Sequence, residues 1–122
     1  MKRILVIDDS KTIRKAIRHI LEPMGFLVEE AEDGAKAIEQ VIGGFAPDCV
    51  LCDIDMPVMD GLTFVSVLRG TPGVTQPPVI MCTTHNTFEK IQDALGRGAD
   101  EYIMKPFDAD IIDAKLTACG VR

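Results

Sequence analysis

The sequence predicts a three-layer α/β fold built on a parallel sheet, and three observations carry that prediction. Short apolar runs of strand length alternate with segments whose apolar residues recur at helical spacing. The alternation repeats five times within 122 residues, the length of a single domain around one core. The runs themselves show little polar alternation, which is the pattern of strands covered on both faces.

The first run is Ile4-Leu5-Val6-Ile7. After it, Ile13, Ile17, Ile20 and Leu21 recur at helical spacing, with Ser10 placed to cap the helix and Pro23 and Gly25 punctuating its exit. Residues 26–30 read as a second strand, more polar and therefore expected at the sheet edge. Asp33 caps the next helix, whose apolar face is expected to carry Ala35, Ile38 and Ile42 before Gly43-Gly44 ends it. Pro47-Asp48 leads into a buried strand, Cys49-Val50-Leu51-Cys52. A short helix over 61–68 turns Leu62, Val65 and Leu68 inward.

Residues 70–78 hold two glycines and three prolines and form a loop. Val79-Ile80-Met81-Cys82 is a fourth buried strand. Phe88, Ile91 and Leu95 mark the following helix, ended by Gly96 and Gly98. Tyr102-Ile103-Met104 is a fifth strand, and Asp108 caps a last helix with Ile112, Leu116 and Cys119 inward. Right-handed crossovers leave few topologies for such a chain. The flavodoxin-like doubly wound order 2-1-3-4-5, five parallel strands with five helices, suits this size. No internal repeat, low-complexity tract or linker interrupts residues 1–122, so one domain is expected.

Composition narrows the function. An apolar content of 47% with 26% charged residues is that of a soluble globular domain. A net charge of −6 disfavours a nucleic-acid surface, which needs a basic footprint, and suits partners with basic patches. No apolar run approaches a membrane span. The N-terminus is basic and then apolar, but Asp8-Asp9 cuts the apolar stretch too short for a signal peptide, so a cytoplasmic location is expected. Cys49 and Cys52 have the spacing of half a zinc site, yet no second pair follows at ligand spacing. On one strand their side chains face opposite sides, so buried thiols packing as small hydrophobes are expected, along with Cys82 and Cys119.

Ligands of doubly wound sheets bind beyond the carboxyl ends of the strands, at the topological switch point. The residues at those ends are Asp8 and Asp9 after the first strand and Asp53 after the third. Thr83 follows the fourth, and Lys105-Pro106 the fifth. Singly, each has an ordinary explanation as a cap, a loop start or a solvated turn residue. Together they make a hard-cation site beside a hydroxyl and an ammonium. Clustered carboxylates raise one another's pKa unless a cation neutralises them, and an all-oxygen donor set suits Mg2+ or Mn2+. Asp8, Asp9 and Asp53 bring three negative charges, which one divalent ion and Lys105 balance. Such a site can take a phosphoryl group, with one carboxylate attacking in line to form an aspartyl-phosphate.

The strings Ile4-Leu5-Val6-Ile7-Asp8-Asp9-Ser10, Asp53-Ile54-Asp55-Met56-Pro57-Val58-Met59-Asp60-Gly61 and Thr83-Thr84 resemble the response-regulator receiver family. So does the string from Gly98 to Phe107, and the match runs over essentially the whole chain. The resemblance is to the single-domain chemotaxis (CheY-like) type. It implies that Asp53 accepts phosphate from the phosphohistidine of a sensor histidine kinase or histidine phosphotransfer protein. It implies Asp9 and Asp53 as direct Mg2+ ligands, Asp8 through water, and the backbone carbonyl of Asp55 as a further ligand. Thr83 and Lys105 are implied to bind phosphoryl oxygens, and the Lys105-Pro106 bond to be cis, which proline tolerates. Thr83 and Tyr102, the only tyrosine, are implied as a rotamer switch, with the fourth helix, fifth strand and last helix as output face.

Three residues stand out as local tuning positions. Asp55 adds a fourth acidic side chain near the site, where its charge would alter the approach of water or phosphodonor. His85, two residues after Thr83, lies on a facing loop where it could pair with Asp55, and Thr84 is bulky enough to narrow access. The chain ends about three residues after its last helix face, so output through protein binding is expected. A chemotaxis regulator of the flagellar switch leads; a phosphorelay shuttle or phosphate sink is the alternative. No enzymatic turnover of external substrates is expected. Asp53-Ile54-Asp55 also resembles the Asp-x-Asp of haloacid-dehalogenase-type phosphatases, but Met56-Pro57 follows it. A flavodoxin-type flavin carrier would need a Ser/Thr/Gly-rich phosphate loop where Asp8-Asp9-Ser10-Lys11 stands.

Overall fold

The computed structural model describes all of residues 1–122. In chain order its elements are β1 (Arg3–Ile7), α1 (Lys11–Leu21), a 3-10 turn (Glu22–Met24), β2 (Leu27–Ala31) and α2 (Gly34–Ile42). They continue with β3 (Cys49–Cys52), α3 (Gly61–Arg69), β4 (Val79–Thr83), α4 (Phe88–Gly96), β5 (Glu101–Met104) and α5 (Ala109–Ala118). All strand pairs are parallel and the sheet order is β2-β1-β3-β4-β5, as expected.

Strand parity sorts the core into two layers, because successive side chains point to opposite faces. Leu5, Ile7, Val50, Cys52, Val79 and Met81 pack against Ile38 and Val41 of α2, Phe64 and Leu68 of α3 and Ala94 of α4. Ile4, Val6, Cys49, Leu51, Ile80 and Cys82 pack against Ile17 and Leu21 of α1 and Ile112 and Leu116 of α5. Cys49 and Cys52 therefore stand on opposite faces of the sheet, as a shared strand requires.

Helix starts follow the sequence closely. Ser10, Asp33, Asp60, Thr87 and Asp108 each accept a hydrogen bond from the backbone N–H three residues on. Two expectations need correction, one of facing in α2 and one of the start of β2. In α2 the buried stripe is Ala37, Ile38 and Val41, while Ile42 is exposed. The α-helical step of 100° carries Ile42 past the core edge at the helix's last residue. In α4 the marking residues Phe88 and Leu95 are exposed and only Ala94 is buried. The second strand begins at Leu27, one residue later than expected, because Gly25 sits at φ +94° and Phe26 packs into the core before pairing starts. Phe64, fully buried on α3, belongs to the core as well.

Candidate functional site

The chain reverses direction of travel across the sheet at β1, which lies between β2 and β3, so the loops after β1 and β3 flank the switch point. Register fixes what meets there. Ile7 pairs with Cys52, which places Asp8-Asp9 beside Asp53, and the Asp53 N–H donates to the Ile7 carbonyl at 2.9 Å. Thr83 pairs with Met104, so Lys105 follows at the same edge, its N–H donating to the Thr83 carbonyl at 2.8 Å. The Lys105-Pro106 bond is cis, as expected.

Carboxylate oxygens of Asp8, Asp9 and Asp53 lie within 4.8 Å of one another. Asp8 and Asp53 are buried and Asp9 is exposed, so the cluster opens to solvent on one side. Lys105 Nζ lies 2.8 Å from Asp8 Oδ2 and 3.4 Å from Asp53 Oδ1. One ammonium faces three carboxylates, a donor set of oxygens alone with a deficit of positive charge; a divalent cation fits it.

Electrostatics reflect that deficit. Burial pushes the Asp53 carboxyl up, Asp8's charge adds to this, and Lys105 offsets only part of it. Burial by itself would lower the Lys105 ammonium, but the hydrogen bond to Asp8 and the charge of Asp53 outweigh it and hold it up. Asp53 Oδ1 accepts from the Ile54 N–H at 2.9 Å and faces Lys105, whereas Oδ2 has no protein donor. No fully buried side-chain oxygen or nitrogen lacks a partner, so Oδ2 is not sealed from solvent.

The loop after Asp53 is held tightly. Gly61 N–H donates to the Ile54 carbonyl at 2.8 Å, closing residues 54–61. Within it the Met59 N–H donates to the Pro57 carbonyl across Val58, whose φ is +68°. This is a γ-turn of the rare positive-φ kind, in which a β-branched residue is strained. The Met59 carbonyl in turn accepts from Gly34 N–H at the start of α2.

Thr83 is buried, and its hydroxyl accepts from the His85 N–H at 3.2 Å. Tyr102 is half-buried, its hydroxyl donating to the His85 carbonyl at 2.6 Å. The expected cross-pocket pair is present: His85 Nε2 donates to Asp55 Oδ2 at 2.6 Å. Thr84 is exposed at the site's rim, lining with Lys105, Pro106 and Phe107 an apolar cavity of about 330 Å³ against α1.

Sequence reasoning missed Arg14. Its Nη1 donates to the Asp8 carbonyl at 2.5 Å while Nε meets Glu30 at 2.9 Å. Glu30 also meets Arg18. Burial works to raise the Glu30 carboxyl, but hydrogen bonds from Arg18 and Arg14 prevail and hold it low. Arg14 thus ties the acidic loop to β2; the signal was a basic residue one helical turn after the Ser10 cap.

Fold and site together define a doubly wound α/β domain with an acidic pocket at its switch point. The chain belongs to the response regulator receiver domain family, whose model matches residues 4–117. It is 38% identical over 121 residues to a chemotaxis protein CheY of Halobacterium salinarum, covering 96% of this chain and 98% of that one. It is 40% identical over 109 residues to the chemotaxis protein CheY of Bacillus subtilis, covering 88% of each. The solved structure of Vibrio cholerae chemotaxis protein CheY4 superposes with a TM-score of 0.90 at 33% identity, covering 98% of both chains. Two-component signalling is the family's setting. None of its helices is long and apolar enough to cross a membrane.

Proposed function

We propose that the chain is a phosphorylation-operated switch: Asp53 takes a phosphoryl group from a histidine kinase or phosphotransfer protein, and the modified face binds a downstream protein. The observation that carries this reading is the Asp53 carboxylate, its Oδ2 without a protein donor, gathered with Asp8 and Asp9 and 3.4 Å from Lys105 Nζ at the sheet edge where Thr83 ends β4. Attack by Oδ2 forms an O–P bond as the donor's N–P bond breaks. Lys105 neutralises charge on the transferred group, and the Thr83 hydroxyl, released from His85, donates to one of its oxygens.

Asp9 and Asp53 would hold Mg2+ directly, with Asp8 through water and the Asp55 carbonyl completing the protein's contribution. The ion supplies charge neutralisation at the phosphoryl oxygens. The near-full-length similarity to chemotaxis proteins supports motility control through the flagellar switch as the output; a relay or phosphate-sink role is the alternative.

Incubation with acetyl phosphate and Mg2+ tests the reading. The chain should gain one phosphoryl group by intact mass, and Asp53→Asn should gain none while keeping its circular dichroism. Steady release of phosphate from small phosphomonoesters would instead mark an enzyme, and would overturn the reading. Capture of partners on the beryllofluoride-loaded chain then separates a flagellar target from a relay protein.

A further inference from the structure

His85 makes three hydrogen bonds with three different parts of the site. Its backbone N–H donates to Thr83 Oγ1 at 3.2 Å, its carbonyl accepts from Tyr102 Oη at 2.6 Å, and its ring donates to Asp55 Oδ2 at 2.6 Å. Asp55 lies in the loop between β3 and α3, and His85 in the loop between β4 and α4. One residue therefore bridges the phosphoacceptor's loop to both members of the Thr83–Tyr102 pair.

We propose that His85 is a positioning residue that straps the β4–α4 loop to Asp55 in the resting state and so opposes acceptance of phosphate. The proposal rests on the phosphoacceptor reading above. In the proposed switch the Thr83 side chain swings toward a phosphoryl oxygen and carries its Oγ1 away from the His85 N–H; the β4–α4 loop follows and draws the ring off Asp55. A bond made in only one of two states favours that state by its own worth. The ring–carboxylate pair is partly solvent-exposed, with side chains 32% and 70% accessible, so its worth is that of a surface pair, up to about fivefold in the equilibrium.

The strap makes a prediction that simple electrostatics reverses. In His85→Ala the Asp55 charge is left unpaired, and repulsion alone would weaken binding of an anionic phosphoryl mimic. Loss of a strap would strengthen it. Tyr102 is the only tyrosine and there is no tryptophan, so intrinsic fluorescence reports on the switch itself.

The test is titration with beryllofluoride at fixed Mg2+, followed by Tyr102 fluorescence, on the whole chain and on His85→Ala, Asp55→Ala and the double variant. His85→Ala should reach half-saturation at a concentration up to about fivefold lower, Asp55→Ala at least as low because it also removes the charge, and the double should gain nothing beyond Asp55→Ala, since the two groups act as a unit. His85→Gln, which keeps a side-chain donor, should return to the wild-type midpoint. Without beryllofluoride, the Tyr102 signal of His85→Ala should already shift toward the loaded spectrum. An unchanged or higher midpoint for a natively folded His85→Ala overturns the strap, as does additive gain in the double variant. Failure of the wild-type chain to take label from acetyl phosphate would instead overturn the phosphoacceptor reading on which the strap rests.

Discussion

A Cβ added to Gly61 would lie 2.0 Å from the carbonyl oxygen of Asp53 and 3.0 Å from the Cα of Ile54. Both are backbone atoms, so neither can swing aside, and the start of α3 must retreat from the phosphoacceptor. Gly61→Ala should therefore cost about 3 kcal/mol in urea unfolding, at the upper end for overpacked sites, and should slow labelling by acetyl phosphate even where the chain is fully folded. The glycine was visible in the sequence as part of a matching string, but its reason was not: close approach of two backbones is a property of register and loop closure. The carboxylates, Thr83 and Lys105 were legible because strand ends fall at predictable places in an alternating chain. Arg14 was not, since its partner is a backbone carbonyl and no residue type announces that. The thiols give a second prediction at this scale. Burial pushes Cys82 up to about 12 and Cys49 higher still, while Cys119 is half-buried and raised less. Iodoacetamide at pH 8 should modify the native chain at Cys119 first, and all four cysteines only in denaturant; early modification of Cys49 or Cys52 would contradict this packing.

Among the helices, α4 is the least anchored. It buries only Ala94, whereas α3 buries Gly61, Leu62, Phe64, Val65 and Leu68. Phe88, Ile91 and Leu95 mark the helix by their spacing, and the stripe is real; Phe88 and Leu95 face solvent beside half-buried Ile91. Periodicity gives the existence of a face, not which way it turns, and a helix with one small buried residue leaves that choice to its neighbours. The same limit explains Ile42 on α2, where the core-facing positions were one residue earlier. An element with few buried apolar contacts opens locally at low cost. Amide exchange over residues 88–96 should therefore run at least about tenfold faster than over α3, and binding of beryllofluoride should slow it. Equal protection of the two helices would place α4 within the rigid core and deny it a part in switching.

Across the whole molecule, the apolar layers and the acidic pocket pull on stability in opposite directions. Three carboxylates are gathered against one ammonium at the end of a buried sheet, an arrangement that folding alone does not favour. Asp53 shows the conflict most clearly, its carboxyl pushed up by burial and then by Asp8. A carboxyl that ionises less readily in the folded chain than in the unfolded one favours folding at pH below its unfolded value. That contribution is lost as the pH rises through the folded value. At neutral pH the unmodified chain therefore carries an ionised Asp53 at a cost, and Asp53→Asn removes it while keeping the shape. The variant should melt a few degrees higher at pH 7 without divalent ions, the shift that about 1 kcal/mol produces at this size. The gain should shrink as the pH is lowered toward the ordinary carboxylate range. Millimolar Mg2+ should raise the melting temperature of the wild-type chain more than that of the variant, because a cation bound only by the folded state stabilises it by mass action. Calorimetry with and without Mg2+ at two pH values measures all of these shifts together. A variant that melts lower than the wild type at pH 7 would show that Asp53 is held by its Lys105 contact rather than strained by its neighbours.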